Sequence, residues 1–215
     1  MSTEKKPILY SYFRSSASWR VRIALNWKGI DYEYKAIDLL KNENNTEEYL
    51  KVNPTQKVPA FITKDSKLLS QSEAIIEYLD EAYPDRPLIP GCPYKRALVR
   101  EISQIIACDI HPIQNLGVLK RIAGDDMEKR TAWANESIRL GFKGLENRLE
   151  HTSGAYSVGD SITMADIFVC AMVGNAKRWG VEMSSFPIIT KINEVCSKLP
   201  AFANAIPDKQ PDCSK

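Results

Sequence analysis

Between residues 84 and 93 a proline stands at every third position: Pro84, Pro87, Pro90 and Pro93. Proline lacks a backbone N–H and locks φ, so neither a helix interior nor a central strand runs through such a stretch. The segment reads as a stiff linker. It divides the 215 residues into two parts with different hydrophobic periods, and a chain of this length accommodates two small domains. The boundaries read as 1–83 for the first domain, 84–92 for the linker and 93–215 for the second.

Before the linker the period alternates. The apolar run Ile8 to Phe13 reads as a short buried strand. Trp19 to Lys28 has helical spacing and stops at Gly29. Asp31 to Ile37 alternates as a second strand, which predicts a β-α-β unit with a right-handed crossover. A polar loop follows at Asn42 to Thr46, then a short helix to Val52 that Asn53-Pro54 ends. Val58 to Ile62 reads as a strand, and Lys64-Asp65-Ser66 as a turn into Leu68-Leu69. Ser72 is placed to cap a helix ending near Tyr83. Beyond the linker the pattern is helical throughout: about Tyr94 to Leu119, Met127 to Glu150, Thr163 to Arg178 and Ile188 to Leu199. Pro112 implies a kink in the first of these. The polar tail from Pro207 is expected on the surface.

The stretch Arg14-Ser15-Ser16-Ala17-Ser18-Trp19-Arg20 sits where the first strand gives way to the first helix. A helix start carries unpaired N–H groups and partial positive charge, which suits an anion. Arg20 and Arg22, inside that helix, read as structural ion-pair formers. Gln71-Ser72 is a second helix start, a plain cap or an anion site. Thr163-Met164-Ala165-Asp166 is a capping-box pattern, with Ile162 and Ile167 as a hydrophobic staple, and reads as purely structural. The thioredoxin-like order of elements predicts a cis Val58-Pro59 bond. Such a bond presents a backbone N–H and C=O to a peptide.

Other chemistry is excluded or weak. The formal charge of +2 and the scattered basic residues argue against nucleic acid. No apolar run approaches the roughly 20 residues a spanning helix needs, and Met1 to Lys6 is not a secretory leader. The nearest two of the five cysteines are sixteen residues apart, and His111 and His151 are the only histidines. Reduced thiols and no metal site are expected. Tyr10 and Tyr12 read as packing residues, and His111 as structural.

Together these residues resemble the cytosolic glutathione transferases, and within them the zeta class. The most specific piece is Ser15-Ser16-Ala17-Ser18-Trp19-Arg20-Val21-Arg22-Ile23-Ala24-Leu25, similar to the zeta signature S-S-C-x-W-R-V-R-I-A-L. Asn53-Pro54, Lys57-Val58-Pro59 and Gln71-Ser72 with Ala74 to Leu79 match the family's glutathione frame. Pro112 to Leu116, Val158-Gly159-Asp160, Thr163 to Asp166 and Gln210-Pro211-Asp212 match further along. The resemblance implies an α/β thioredoxin-like N-terminal domain and an all-α C-terminal domain.

It also implies roles. Ser15 would donate to the glutathione thiolate, with Ser16 and Ala17 completing the catalytic turn and Ser18, Trp19 and Arg20 continuing the binding motif. Val58 would pair its backbone with the cysteinyl part, before Pro59. Gln71 and Ser72 would hold the γ-glutamyl end. His111, Asn115, Leu116 and Gly117 fall where the family lines its cleft. Arg14 and Arg178 are candidates for substrate carboxylates, and Asn45 is a minor candidate. The expected activity is glutathione-dependent cis–trans isomerisation of maleylacetoacetate-type keto acids, in tyrosine and phenylalanine catabolism. Transferase activity on small α-halo acids, a homodimer and a cytoplasmic location are further expectations. The chain departs from the family at three places. Ala17 stands where zeta enzymes have cysteine, His111 replaces a glutamine and Gly117 a serine. Ala17 opens an alternative reading: a glutathione-binding scaffold or redox adaptor with weak catalysis.

Overall fold

The computed structural model describes residues 5–213. It divides into two compact units, one running to Arg86 and taking in the chain from Leu199 onward, the other Pro87–Lys198.

The first unit is built on β1 (Ile8–Ser11), α1 (Ser16–Lys28), β2 (Glu33–Ala36), α2 (Glu47–Val52), β3 (Ala60–Ile62), β4 (Leu68–Ser70) and α3 (Ser72–Ala82). The sheet order is β2-β1-β3-β4. β2 runs parallel to β1, as the β-α-β reading requires, while β3 and β4 are antiparallel to their neighbours. The register pairs Tyr10 with Ala60 and Ala60 with Ser70. The C-terminal ends of β1 and β4 and the N-terminal end of β3 therefore meet at one edge of the sheet. That edge receives three predicted pieces: the turn after β1, Val58-Pro59 before β3, and Gln71-Ser72 after β4.

α1 ends where Gly29 takes φ 66°, a conformation glycine adopts without a Cβ penalty. Its last residue, Lys28, has a fully buried side chain that pairs with Asp80 of α3 at 2.6 Å. The same ammonium donates to the Tyr83 and Asp85 carbonyls at 2.8 and 3.0 Å. One charge thus joins the ends of α1 and α3 to the start of the proline segment.

The chain from Leu199 belongs with this unit, not with the helical one to which the sequence reading assigned it. Its short helix Pro200–Ala203 packs on α1. Arg22 Nε and Asn26 Nδ2 donate to the Ala205 and Ala201 carbonyls, both at 3.1 Å. The polar tail from Pro207 exposes Asp208, Lys209 and Pro211, but one of its residues is drawn inward. Gln210 is buried and its amide donates to the Asn204 and Ile206 carbonyls. Polar composition marks a surface only when the polar groups lack internal partners.

The second unit comprises α4 (Pro93–Gln104), α5 (Leu116–Ala123), α6 (Met127–Thr152), α7 (Met164–Arg178) and α8 (Pro187–Ser197). α7 is buried along nearly its whole length and packs against α4 and α8, the position expected of a helix apolar on every face. The single helix expected over Tyr94 to Leu119 is broken. After α4 the chain continues as a π-helical stretch, Ile105–Ile110. The His111 N–H closes it on the Ile106 carbonyl at 2.8 Å, and a turn then carries the chain to α5. Pro112 donates no hydrogen bond and disfavours helix before it, so the kink becomes a break. No described helix is long and apolar enough to cross a membrane, and no described cluster of His, Cys, Asp or Glu could hold a metal ion.

Candidate active site

Ser15 is the N-cap of α1. Its φ of −70° and ψ of 112° are extended, and its Oγ accepts the Ser18 N–H at 3.2 Å. The cap bond uses a lone pair and leaves the hydroxyl hydrogen to be donated elsewhere. Capping and donation to an anion are therefore compatible at this one oxygen. Ser15 and Ala17 are half-buried, Ser16 and Ser18 are buried, and Arg14 is exposed with its guanidinium 4.9 Å from the Phe13 ring centroid. Ala17 places only a methyl group in the first turn.

The turn leading to Ser15 is held from beneath. Arg22 is fully buried, and it donates to Ser11 Oγ at 3.1 Å, the Tyr12 carbonyl at 3.3 Å and the Phe13 carbonyl at 3.0 Å. The Phe13 N–H donates to Asp212 Oδ2 at 2.9 Å, and the Tyr34 hydroxyl to Asp212 Oδ1 at 2.6 Å. Burial lowers the Arg22 pKa, and Tyr34, Tyr32 and Asp212 oppose that shift. Burial, followed by the bond to Asp212, raises the Tyr34 phenol well above its ordinary range, which keeps it a donor. The expectation that Arg22 forms an ion pair is corrected: its hydrogen bonds go to the Tyr12, Phe13 and Ala205 carbonyls and the Ser11 hydroxyl, which surround the buried guanidinium.

Val58 precedes a cis bond to Pro59, and both residues are buried. The preceding loop is fastened at Lys57, whose carbonyl accepts from Tyr49 Oη at 2.8 Å and Asn53 Nδ2 at 2.7 Å. Asn53 is itself buried, and its Oδ1 accepts from the Thr55 N–H and hydroxyl. Burial pushes the Tyr49 phenol up to about 12, so it too remains a donor at neutral pH. Tyr49 is not among the residues the sequence reading names for the site, and Asn53 enters it only through the Asn53-Pro54 match to the glutathione frame. The Asn-Pro dipeptide was the available signal, since asparagine before proline initiates turns by bonding its own backbone.

At the third piece the expected cap is corrected. Gln71, not Ser72, is the N-cap of α3, and it takes a positive φ of 70°. A non-glycine residue there is uncommon, and such strain gathers at binding sites. Ser72 is the first helical residue, and its Oγ accepts from Arg20 Nη1 at 3.2 Å. Its hydroxyl hydrogen is again left to donate, and Arg20 ties α1 to the start of α3. Asn45 is exposed, and its Oδ1 accepts from Asn44, whose amide also donates to the Gln56 carbonyl.

The remaining candidates lie in the second unit. His111 is half-buried at the end of the π-helical stretch. Asn115 caps α5 by accepting the Gly117 N–H at 3.2 Å, Leu116 is half-buried, and Gly117 is exposed. Arg178 is exposed near the end of α7, with its guanidinium 5.0 Å from the Trp179 ring centroid. Asp166 is fully buried and accepts the Ser157 and Thr163 N–H groups, both at 2.7 Å.

The first unit therefore offers two hydroxyls, two helix starts and an immobilised main-chain segment at one sheet edge. That set suits a small peptide thiol with a carboxylate, and comparisons with known proteins agree. A family model described as the glutathione S-transferase N-terminal domain matches residues 6–81, and one described as the C-terminal domain matches 116–206. The maleylacetoacetate isomerase of Dictyostelium discoideum is 48% identical over 215 residues, which cover 98% of this chain and 97% of that protein. Among solved structures, a holo maleylpyruvate isomerase described as a bacterial zeta-class glutathione S-transferase has a TM-score of 0.91. It is 39% identical, and the match covers 96% of this chain and all of that one. A maleylacetoacetate isomerase from Anaeromyxobacter dehalogenans 2CP-1, with dicarboxyethyl glutathione and citrate in its active site, has a TM-score of 0.86. It is 34% identical, with 98% of each chain covered. This chain belongs to the glutathione S-transferase family, and within it to the zeta class.

Proposed function

We propose that this chain is a glutathione-dependent cis–trans isomerase of maleylacetoacetate-type keto acids, with transferase activity on small α-halo acids. The observation that carries this reading is the Ser15 hydroxyl, which caps α1 with a lone pair and keeps its hydrogen for the sulfur. The relatives' names support the substrate class. The dicarboxyethyl glutathione held by one of them is what a thiol forms by adding across a butenedioate double bond.

Bound glutathione supplies a thiolate that adds reversibly to a conjugated double bond, which rotates while single, or displaces halide from an α-halo acid. The chain's residues prepare that thiolate. An unperturbed thiol titrates near about 8.5. A hydrogen bond to a charged acceptor contributes roughly 1.5–3 kcal/mol, and a helix N-terminus roughly 0.3–1 kcal/mol. Together they lower the thiol by about one to three pH units, enough for thiolate at neutral pH without a general base. Ser15, with Ser16 and the first turn of α1 through Ser18, Trp19 and Arg20, holds the sulfur. The main chain of Val58 before Pro59 holds the cysteinyl amide, and Gln71 and Ser72 the γ-glutamyl carboxylate. Arg14 and Arg178 are the cations assigned to substrate carboxylates. His111, Asn115, Leu116 and Gly117 tune which acid is accepted. A homodimer and a cytoplasmic location complete the reading.

Ala17 favours a second reading, a glutathione-binding scaffold or redox adaptor with weak catalysis, because it brings no thiol beside the sulfur. Purified chain assayed with maleylacetoacetate and with dichloroacetate separates the two. Turnover that requires glutathione is the expected result, and its absence with both acids contradicts the enzyme reading. Ala17→Cys is expected to raise isomerase turnover, and an unchanged rate removes any role for a thiol at that position.

A further inference from the structure

The far end of the chain reaches the turn that presents Ser15. Asp212 lies 199 residues beyond Phe13, yet its carboxylate accepts the Phe13 N–H at 2.9 Å and the Tyr34 O–H at 2.6 Å. Three consecutive main-chain groups before Ser15 are thus held by side chains: the Tyr12 and Phe13 carbonyls by Arg22, and the Phe13 N–H by Asp212. The Ser15 N–H in turn donates to the Tyr12 carbonyl at 2.9 Å. Cys213, next in the chain, packs against the cluster containing Tyr12, Phe13 and Val58. Neither Asp212 nor Tyr34 is among the residues that bind glutathione or substrate in the proposed function.

We propose that Asp212 is a positioning residue for Ser15: by bridging the Phe13 N–H and the Tyr34 O–H, its carboxylate sets where the turn holds the serine hydroxyl. The inference rests on the assignment of Ser15 to the sulfur. A hydrogen bond to a charged acceptor is directional, and misplacing a reacting group by an ångström is costly. Tyr34 fixes one carboxylate oxygen so that the other meets Phe13. Arg22 supplies the opposite charge nearby, so Asp212 and α1 grip the same turn from two directions.

The test uses the full-length chain with Asp212→Ala, Asp212→Asn and Tyr34→Phe. Asp212→Ala is expected to raise KM for glutathione about tenfold and to move the titration of the bound thiol upward by roughly one pH unit. KM for the second substrate should not change. Asp212→Asn keeps an acceptor oxygen and should recover most of the loss, while Tyr34→Phe should cost about threefold in the same KM. If Asp212→Ala does not fold, Tyr34→Phe decides the matter. Asp212→Ala or Tyr34→Phe losing only thermal stability, with KM and titration unchanged, overturns the proposal. Absence of any glutathione binding by the unmodified chain contradicts the Ser15 assignment instead. Amide hydrogen exchange then decides the Asp212 claim separately: faster exchange from Phe13 to Ser15 in Asp212→Ala or Tyr34→Phe supports it, and unchanged rates overturn it.

Discussion

Ser15 does two jobs with one oxygen, and the two can be measured apart. Ser15→Ala removes the acceptor for the Ser18 N–H, so α1 should lose the usual worth of an N-cap, about 1 kcal/mol. Urea unfolding of the protein without glutathione reads that loss. A change of several kcal/mol would mean that the serine supports more of the unit than its cap. The hydroxyl-rich turn between a strand and a helix was legible in the sequence as a local pattern, while the Ser15 cap bond to the Ser18 N–H was not. Ser72 was read as the cap and is instead the first helical residue, and Arg20, 52 residues away, donates to its oxygen. The partners of Arg22 were equally hidden, since a buried guanidinium chooses among carbonyls that spacing does not reveal.

Among the elements, the break between α4 and α5 was the hardest to read. Leu98, Ile102, Ile106 and Ile110 are buried and fall four residues apart, and such a pattern does not register a change from i−4 to i−5 bonding. The break has a packing consequence on α6. A Cβ at Gly141 would collide with Ile110 Cγ1 and come within 2.6 Å of Cδ1. Helix propensity alone favours alanine over glycine by about 1 kcal/mol. Burial of Ile110 reverses the sign, because an overpacked core typically costs about 1–3 kcal/mol. Gly141→Ala should therefore destabilise the protein in urea unfolding, and Ile110→Val should relieve part of the cost in the double variant. A stabilised Gly141→Ala would show that Ile110 yields freely.

For the whole molecule, the two hydrophobic periods on either side of the prolines made both architectures legible. The parallel pairing of β1 with β2 followed from the sequence once a helix linked them, while the antiparallel places of β3 and β4 did not. The return of residues beyond Leu199 to the first unit was not legible. It depends on hydrogen bonds spanning 175 to 199 residues, and no local pattern encodes them. Those bonds give the unit a floor beneath the Ser15 turn, while Tyr49 and Asn53 secure the Val58 segment beside it. The arrangement has one purpose in this account, to hold a sulfur as thiolate at neutral pH. The direct measurement is the ultraviolet thiolate absorbance of glutathione bound to the protein, titrated with pH, in the unmodified chain and in Ser15→Ala. The expected midpoint lies about one to three units below that of free glutathione in the unmodified chain and returns toward the free value in Ser15→Ala. Equal midpoints in the two proteins would contradict that expectation.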